Sequence, residues 1–114
     1  MNMNPDVAHL ESQVEQYQVD YDGFVEQAVH AYLLTNILRS IALERRRQDA
    51  KWGVQNHDAP YWLAILIEEV GEVAKAIVEG HMADLRTELI QVAAVVVAII
   101  EWLDRNRLGE KHEL

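Results

Sequence analysis

The chain contains no cysteine. Disulfides, thiolate zinc centres and cysteine nucleophiles are therefore excluded. Among 114 residues there are only 5 glycines and 2 prolines, and aromatic residues are scarce at 7%. Such a composition disfavours a turn-rich β architecture. Base is also in short supply: 10 Lys and Arg face 19 Asp and Glu, for a formal net charge of −9. No excess of base is left to form a stripe that displaces counterions, so neither nucleic acid nor an anionic membrane is an expected partner. Long hydrophobic runs are missing too. The most apolar stretch is 92–100, and even its extension to 89–103 falls short of a membrane span and contains Gln91 and Glu101. The start, MNMNPD, has no basic segment leading into an apolar one. No secretory signal is expected, and a cytoplasmic location follows by default.

What is present reads as helix throughout. Hydrophobic residues make up 50% of the chain, and its length suits one domain over 1–114. Pro5 and Asp6 can open a first helix with Val7, Leu10, Val14 and Tyr17 as its stripe. The pattern breaks around 21–23, which marks 1–23 as an N-terminal helical extension to a core of about 24–107. A second helix is expected over 24–49, where Phe24, Ala28, Ala31, Leu34, Ile37, Leu38, Ile41 and Ala42 recur in three- and four-residue steps. A polar loop with Gly53 as breaker follows. Asp58 can cap a third helix with Pro60 in its first turn, and Gly80 is its natural stop. A fourth helix is expected over 83–105, with Gly109 beyond it. Period-two patterning is absent.

The expected fold is therefore all-α. Residues 61–67 and 92–100 are apolar on every side, and such helices must be covered on every side. A lone chain of this length cannot easily do that. We expect an antiparallel helical bundle completed by oligomerisation.

The third helix carries Ile67-Glu68-Glu69-Val70-Gly71-Glu72. At about 100° per residue, Glu68 and Glu72 lie roughly 40° apart and Glu69 and Glu72 roughly 60° apart. Like charges at this spacing destabilise a helix, and partial burial worsens the repulsion. A divalent cation with oxygen preference, such as Mg²⁺, resolves both problems. The bland alternative is a solvated stripe, and Glu79 is read that way. Gly71 costs about 1 kcal/mol relative to alanine inside a helix, and it allows close approach of a backbone or ligand. On the next helix, Glu88 and Gln91 share a face one turn apart. Antiparallel packing across Gly80-His81 would set Glu72 and Glu88 at similar depth, since each lies eight residues from Gly80. Gln91 is read equally well as a polar residue at the edge of the core.

These residues resemble the MazG-like members of the all-α nucleoside triphosphate pyrophosphohydrolase superfamily. The shared pattern is EExxE on one helix and ExxD on the next. Here the first half is Glu68-Glu69-Val70-Gly71-Glu72, and the second is Glu88-Leu89-Ile90-Gln91, with Gln in place of Asp. The likeness runs over about 44–101, through ERRRQDAKWGVQNHDAPYWLAILIEEVGEVAKAI and ELIQVAAVVVAIIEW. EExxE alone is weak; the KWGxQxH loop before it and ELIQVAAV after it make the match more specific. The resemblance implies Mg²⁺-dependent hydrolysis of a (d)NTP to monophosphate and pyrophosphate, with Mn²⁺ as an alternative ion. It implies that Glu69, Glu72 and Glu88 ligate the metal and that Glu68 orients or deprotonates the attacking water. Gln91 can ligate through its carbonyl but adds no charge.

The loop offers Trp52, Gln55 and His57 for a base, by stacking and edge recognition. The alternative is that Trp52 anchors the loop and His57 caps a neighbour. Lys51 and Lys75 can meet phosphate, although Lys75 can equally pair with Glu72. Arg45, Arg46 and Arg47 read as a solvated helix end. Trp62 and Trp102 read as core or interface. A ferritin-like di-metal bundle needs Glu-x-x-His on two helices, which neither Glu72 nor Glu88 offers. A non-catalytic helical oligomer that binds nucleotide or metal is the remaining rival.

Overall fold

The computed structural model describes residues 5–112, with side chains described for 6–18 and 20–107. The leader reading of residues 1–4 therefore lies outside the described residues. Three helices follow in order: α1 (Pro5–Trp52), α2 (Ala59–Val78) and α3 (Met82–His112). No strand occurs among the described residues, so the chain is all-α.

The expected break at 21–23 does not occur, because α1 runs through it. One glycine costs about 1 kcal/mol in a helix interior, which good neighbours can absorb. Local side-chain pairs help: the Gln16 amide donates to Asp20 at 3.1 Å and that of Gln18 to Asp22 at 3.0 Å. Gly109 likewise does not end α3, which continues to His112. The chain divides into two units, Met1–Asn36 and Ile37–Leu114.

Within the second unit the helix ends are set by local chemistry. Gly53 has φ 71°, and its N–H donates to the Asp49 carbonyl at 2.8 Å, closing α1. Asp58 caps α2, accepting from the Tyr61 N–H at 3.3 Å. At the far end of α2, Gly80 (φ 72°) donates to Ile77 at 3.2 Å and His81 donates to Ala76 at 2.8 Å. This pair of bonds is the Schellman closure, and only a residue tolerant of positive φ fits its hinge. It turns the chain back so that α2 and α3 pack as an antiparallel hairpin, with Trp62 near the start of α2 lying 6.4 Å, ring to ring, from Trp102 late in α3.

The core of the hairpin is thin. Trp62, Ala76, Ala94, Val95 and Ala98 are the buried hydrophobic side chains among the described residues. Three of the five are alanines, which let the two helices approach closely. The end of α1 meets α3 through long side chains. Arg45 donates from Nε to Glu101 at 3.0 Å and from Nη2 to its second oxygen at 3.2 Å, and Arg86 donates to the Ser40 hydroxyl at 3.1 Å. Arg45 is thus no solvated helix end; its side chain is only 12% exposed and also holds Asp49. A guanidinium fork matched to a carboxylate places two bonds at once, which a sequence run of three arginines does not reveal. The Arg45 hydrogen bonds hold the Glu101 carboxyl below the ordinary carboxylate range.

Candidate functional site

The loop after α1 brings α1, α2 and α3 to a common cleft of about 630 Å³. The Arg105 guanidinium holds this loop, donating to the Gln55 carbonyl at 3.2 Å and to the Asn56 side chain at 3.3 Å. One wall of the cleft is aromatic and polar: Trp52, Gln55, Asn56, His57, Tyr61 and Trp62. The His57 ring sits 4.2 Å from Tyr61 and 4.9 Å from Trp62, the latter edge-on. His57 is therefore a packed member of this wall, while the helix cap is Asp58. The lining also includes charged and amide groups, Glu44, Arg47 and Gln48 from α1, Glu68 and Glu69 from α2, and Gln91 from α3, together with apolar residues such as Ile65 and Val95.

Of the residues singled out from sequence, Trp52, Gln55, His57, Glu68, Glu69 and Gln91 line this cleft. Glu72, Lys75 and Glu88 line a second, smaller hollow of about 210 Å³ together with Glu79, His81 and Asp84. Lys51 lies over the Trp52 ring, its ammonium 4.6 Å from the ring centre, as a cation–π pair beside the cleft. Glu79 is exposed, with His81 Nδ1 at 3.6 Å.

Glu69 joins the two hollows electrostatically. Its carboxyl is pushed above the ordinary range, first by desolvation and then by the charges of Glu88, Glu68, Glu72 and Glu44. Carboxylates from all three helices therefore act on one group. Glu44 was not legible as a site residue. It is held below the ordinary range, chiefly because Arg47 donates to both its oxygens, at 2.8 and 2.6 Å. The signal was the three-residue spacing of Glu44 and Arg47, which a reading of solvated arginines passed over. Asn56 and Tyr61 were likewise unnamed.

The donor set suits a hard divalent ion, because a group of mutually repelling carboxylates is what such an ion neutralises. The spacing is open: among the described residues no three His, Asp or Glu side chains stand close enough to hold an ion as placed. Side-chain rotation of the glutamates would have to close it.

The sign of the Glu69 shift gives a stability prediction. A carboxyl raised on folding favours the folded state fully below its unfolded pKa and loses that contribution as pH rises through the folded value. At neutral pH, Glu69→Gln should therefore raise the melting temperature of the metal-free protein. The gain is about 1 kcal/mol at most, since the group is only partly buried and solvent screens it. Melting curves from pH 4 to 8 test this, and an unchanged or lowered neutral-pH melting point for the variant would contradict it. Comparisons with family models, curated proteins and solved structures find no match to this chain.

Proposed function

We propose that the chain is a Mg²⁺-dependent nucleoside triphosphate pyrophosphohydrolase, cleaving a (d)NTP to its monophosphate and pyrophosphate, as the resemblance to the MazG-like group implies. The observation that carries this reading is Glu69. Carboxylates of three helices act on it, in the lining of a cleft that also contains aromatic and hydrogen-bonding side chains. Glu69, Glu72 and Glu88 would hold the ion, with Gln91 as a neutral carbonyl ligand. Mn²⁺ is the alternative ion. Bound there, the metal supplies Lewis acidity and neutralises charge on the leaving pyrophosphate. Glu68 orients the attacking water or takes its proton. Trp52, Gln55 and His57 receive the base. Lys75, which shares the hollow of Glu72 and Glu88, and Lys51, which lies over the Trp52 ring, offer cations to the phosphates. Positioning and charge carry most of phosphoryl-transfer catalysis, so this set needs no covalent nucleophile.

The reading includes a second subunit, in a dimer or tetramer. It is supported by apolar side chains that the hairpin leaves uncovered, among them Leu63 at 58% exposure and Ile67 at 60%. Light scattering at micromolar concentration should show an oligomer, and a clean monomer would overturn this part. A cytoplasmic setting belongs to the same reading. Among the described residues no helix is long and apolar enough to cross a membrane.

A non-catalytic nucleotide- or metal-binding oligomer is the second reading, favoured by the open carboxylate spacing and by Gln91. Pyrophosphate release with Mg²⁺ across all ribo- and deoxyribonucleoside triphosphates separates the two. Turnover supports the enzyme. Saturable nucleotide binding without release supports the second reading, and neither turnover nor binding sinks both.

A further inference from the structure

The first unit, Met1–Asn36, carries a feature that nucleotide hydrolysis does not use. Every described side chain from Asp6 to Thr35 is exposed. Yet one series of its apolar residues alternates in steps of three and four: Val7, Leu10, Val14, Tyr17, Tyr21 and Phe24, continuing through Ala28 and Ala31, while Val25, Val29, Tyr32, Leu33 and Leu34 widen the apolar surface toward its end. The series is a seven-residue repeat with an average step of 3.5, the seam of a coiled coil, and a single helix has no use for it. Gly23 falls away from the seam, one position before Phe24 and two after Tyr21. Tyr17 is 75% exposed, Phe24 69% and Val14 66%, a large apolar cost left in water.

The flanks of the seam say what covers it. Between Asp6 and Asn36 stand six acids, of which Asp6, Glu11 and Asp20 sit directly beside the seam and Glu15, Asp22 and Glu26 farther round, and no lysine or arginine at all; the first arginine is Arg39. A shallow groove of about 380 Å³ is floored by Val7, Leu10 and Val14 and edged by Glu11 and Glu15. In coiled coils the residues beside the seam choose the partner by charge. Two parallel copies in register would set Asp6 of one against Glu11 of the other, and no alignment of two copies pairs an acid of this segment with a lysine or arginine. An opposing helix with Lys or Arg beside its seam meets no such penalty and gains at each acidic flank.

We infer that this segment docks a basic amphipathic helix of another protein, as one half of a heterotypic coiled coil. This makes the first unit a tether, and the inference stands whether or not the second unit hydrolyses nucleotides. The test uses the full-length chain and a synthetic four-heptad helix with apolar seam residues and Lys or Arg at the flanking positions. Two control peptides carry the same charge on a Gln seam, or the same seam with Glu flanks. The basic amphipathic peptide should bind saturably, one per chain, at least tenfold tighter than either control and more weakly in high salt. Leu10→Asp combined with Phe24→Asp should weaken it at least tenfold without changing the oligomeric state. Equal binding of the Gln-seam control would overturn the inference, because charge alone would then suffice. So would loss of self-association in the double variant, which would show that a second copy occupies the seam.

Discussion

Glu72→Ala and Glu88→Ala should each reduce Mg²⁺-dependent pyrophosphate release by about a thousandfold or more. A metal contributes several kcal/mol of charge stabilisation to such a transition state, and about 4 kcal/mol corresponds to a factor near a thousand. The two residues come from different helices but line one hollow, and both act on the Glu69 carboxyl. Removing either takes a negative charge from the set that would hold the ion. Neither change should unfold the protein. Glu72 is exposed and Glu88 half-buried, and losing a like charge relieves repulsion rather than adding to it. A variant with an intact melting curve and no turnover is therefore the expected pair of observations. Gln91→Asp is the complementary change. It places a carboxylate at a position lining the cleft and, on the proposed reading, should maintain or raise turnover. Unchanged turnover in both alanine variants would remove these carboxylates from the chemistry.

Trp62→Ala should destabilise the protein by about 3–5 kcal/mol, the usual cost of emptying a buried aromatic site. That is a large share of the roughly 5–15 kcal/mol that holds a domain folded. Trp62 is only 3% exposed and is the one large side chain in a core otherwise built of alanine and valine. It also packs against His57 and faces Trp102, so its loss loosens both the loop and the hairpin. Trp62→Phe should cost far less. The indole N–H is buried without an acceptor, so phenylalanine forfeits no hydrogen bond there. Denaturant melts of both variants check this, and equal losses for Ala and Phe would contradict it.

The helical hairpin was legible in the sequence because its determinants are local. Asp58 caps because a carboxylate three residues before a free N–H can do nothing better, and Gly80 turns the chain because its backbone accepts positive φ. The convergence of Glu88 with the α2 glutamates was legible for the same reason, since a short turn and equal helix arms fix the depth. The continuity of α1 was not. Propensity at Tyr21, Asp22 and Gly23 is a small term that neighbouring pairs such as Gln18 and Asp22 partly offset. The roles of Arg45 and Arg47 were also hidden. Two arginines of one run face different carboxylates, one on α3 and one a turn away on α1, and only the placement of Glu101 and Glu44 separates them.

By itself the sequence determined an all-helical chain without thiol chemistry, the acidic face of one helix with Glu88 on the next, and the turn that pairs them. These follow from composition, helical spacing and end-capping groups, which act over a few residues. Only the tertiary structure decided that Glu68, Glu69 and Gln91 line the cleft while Glu72 and Glu88 line a smaller hollow, with the charges of both acting on Glu69. It also decided that Glu44 joins the acids while clamped by Arg47. Those outcomes depend on distances between groups far apart in the chain, and charge interactions are set by such distances rather than by spacing along it.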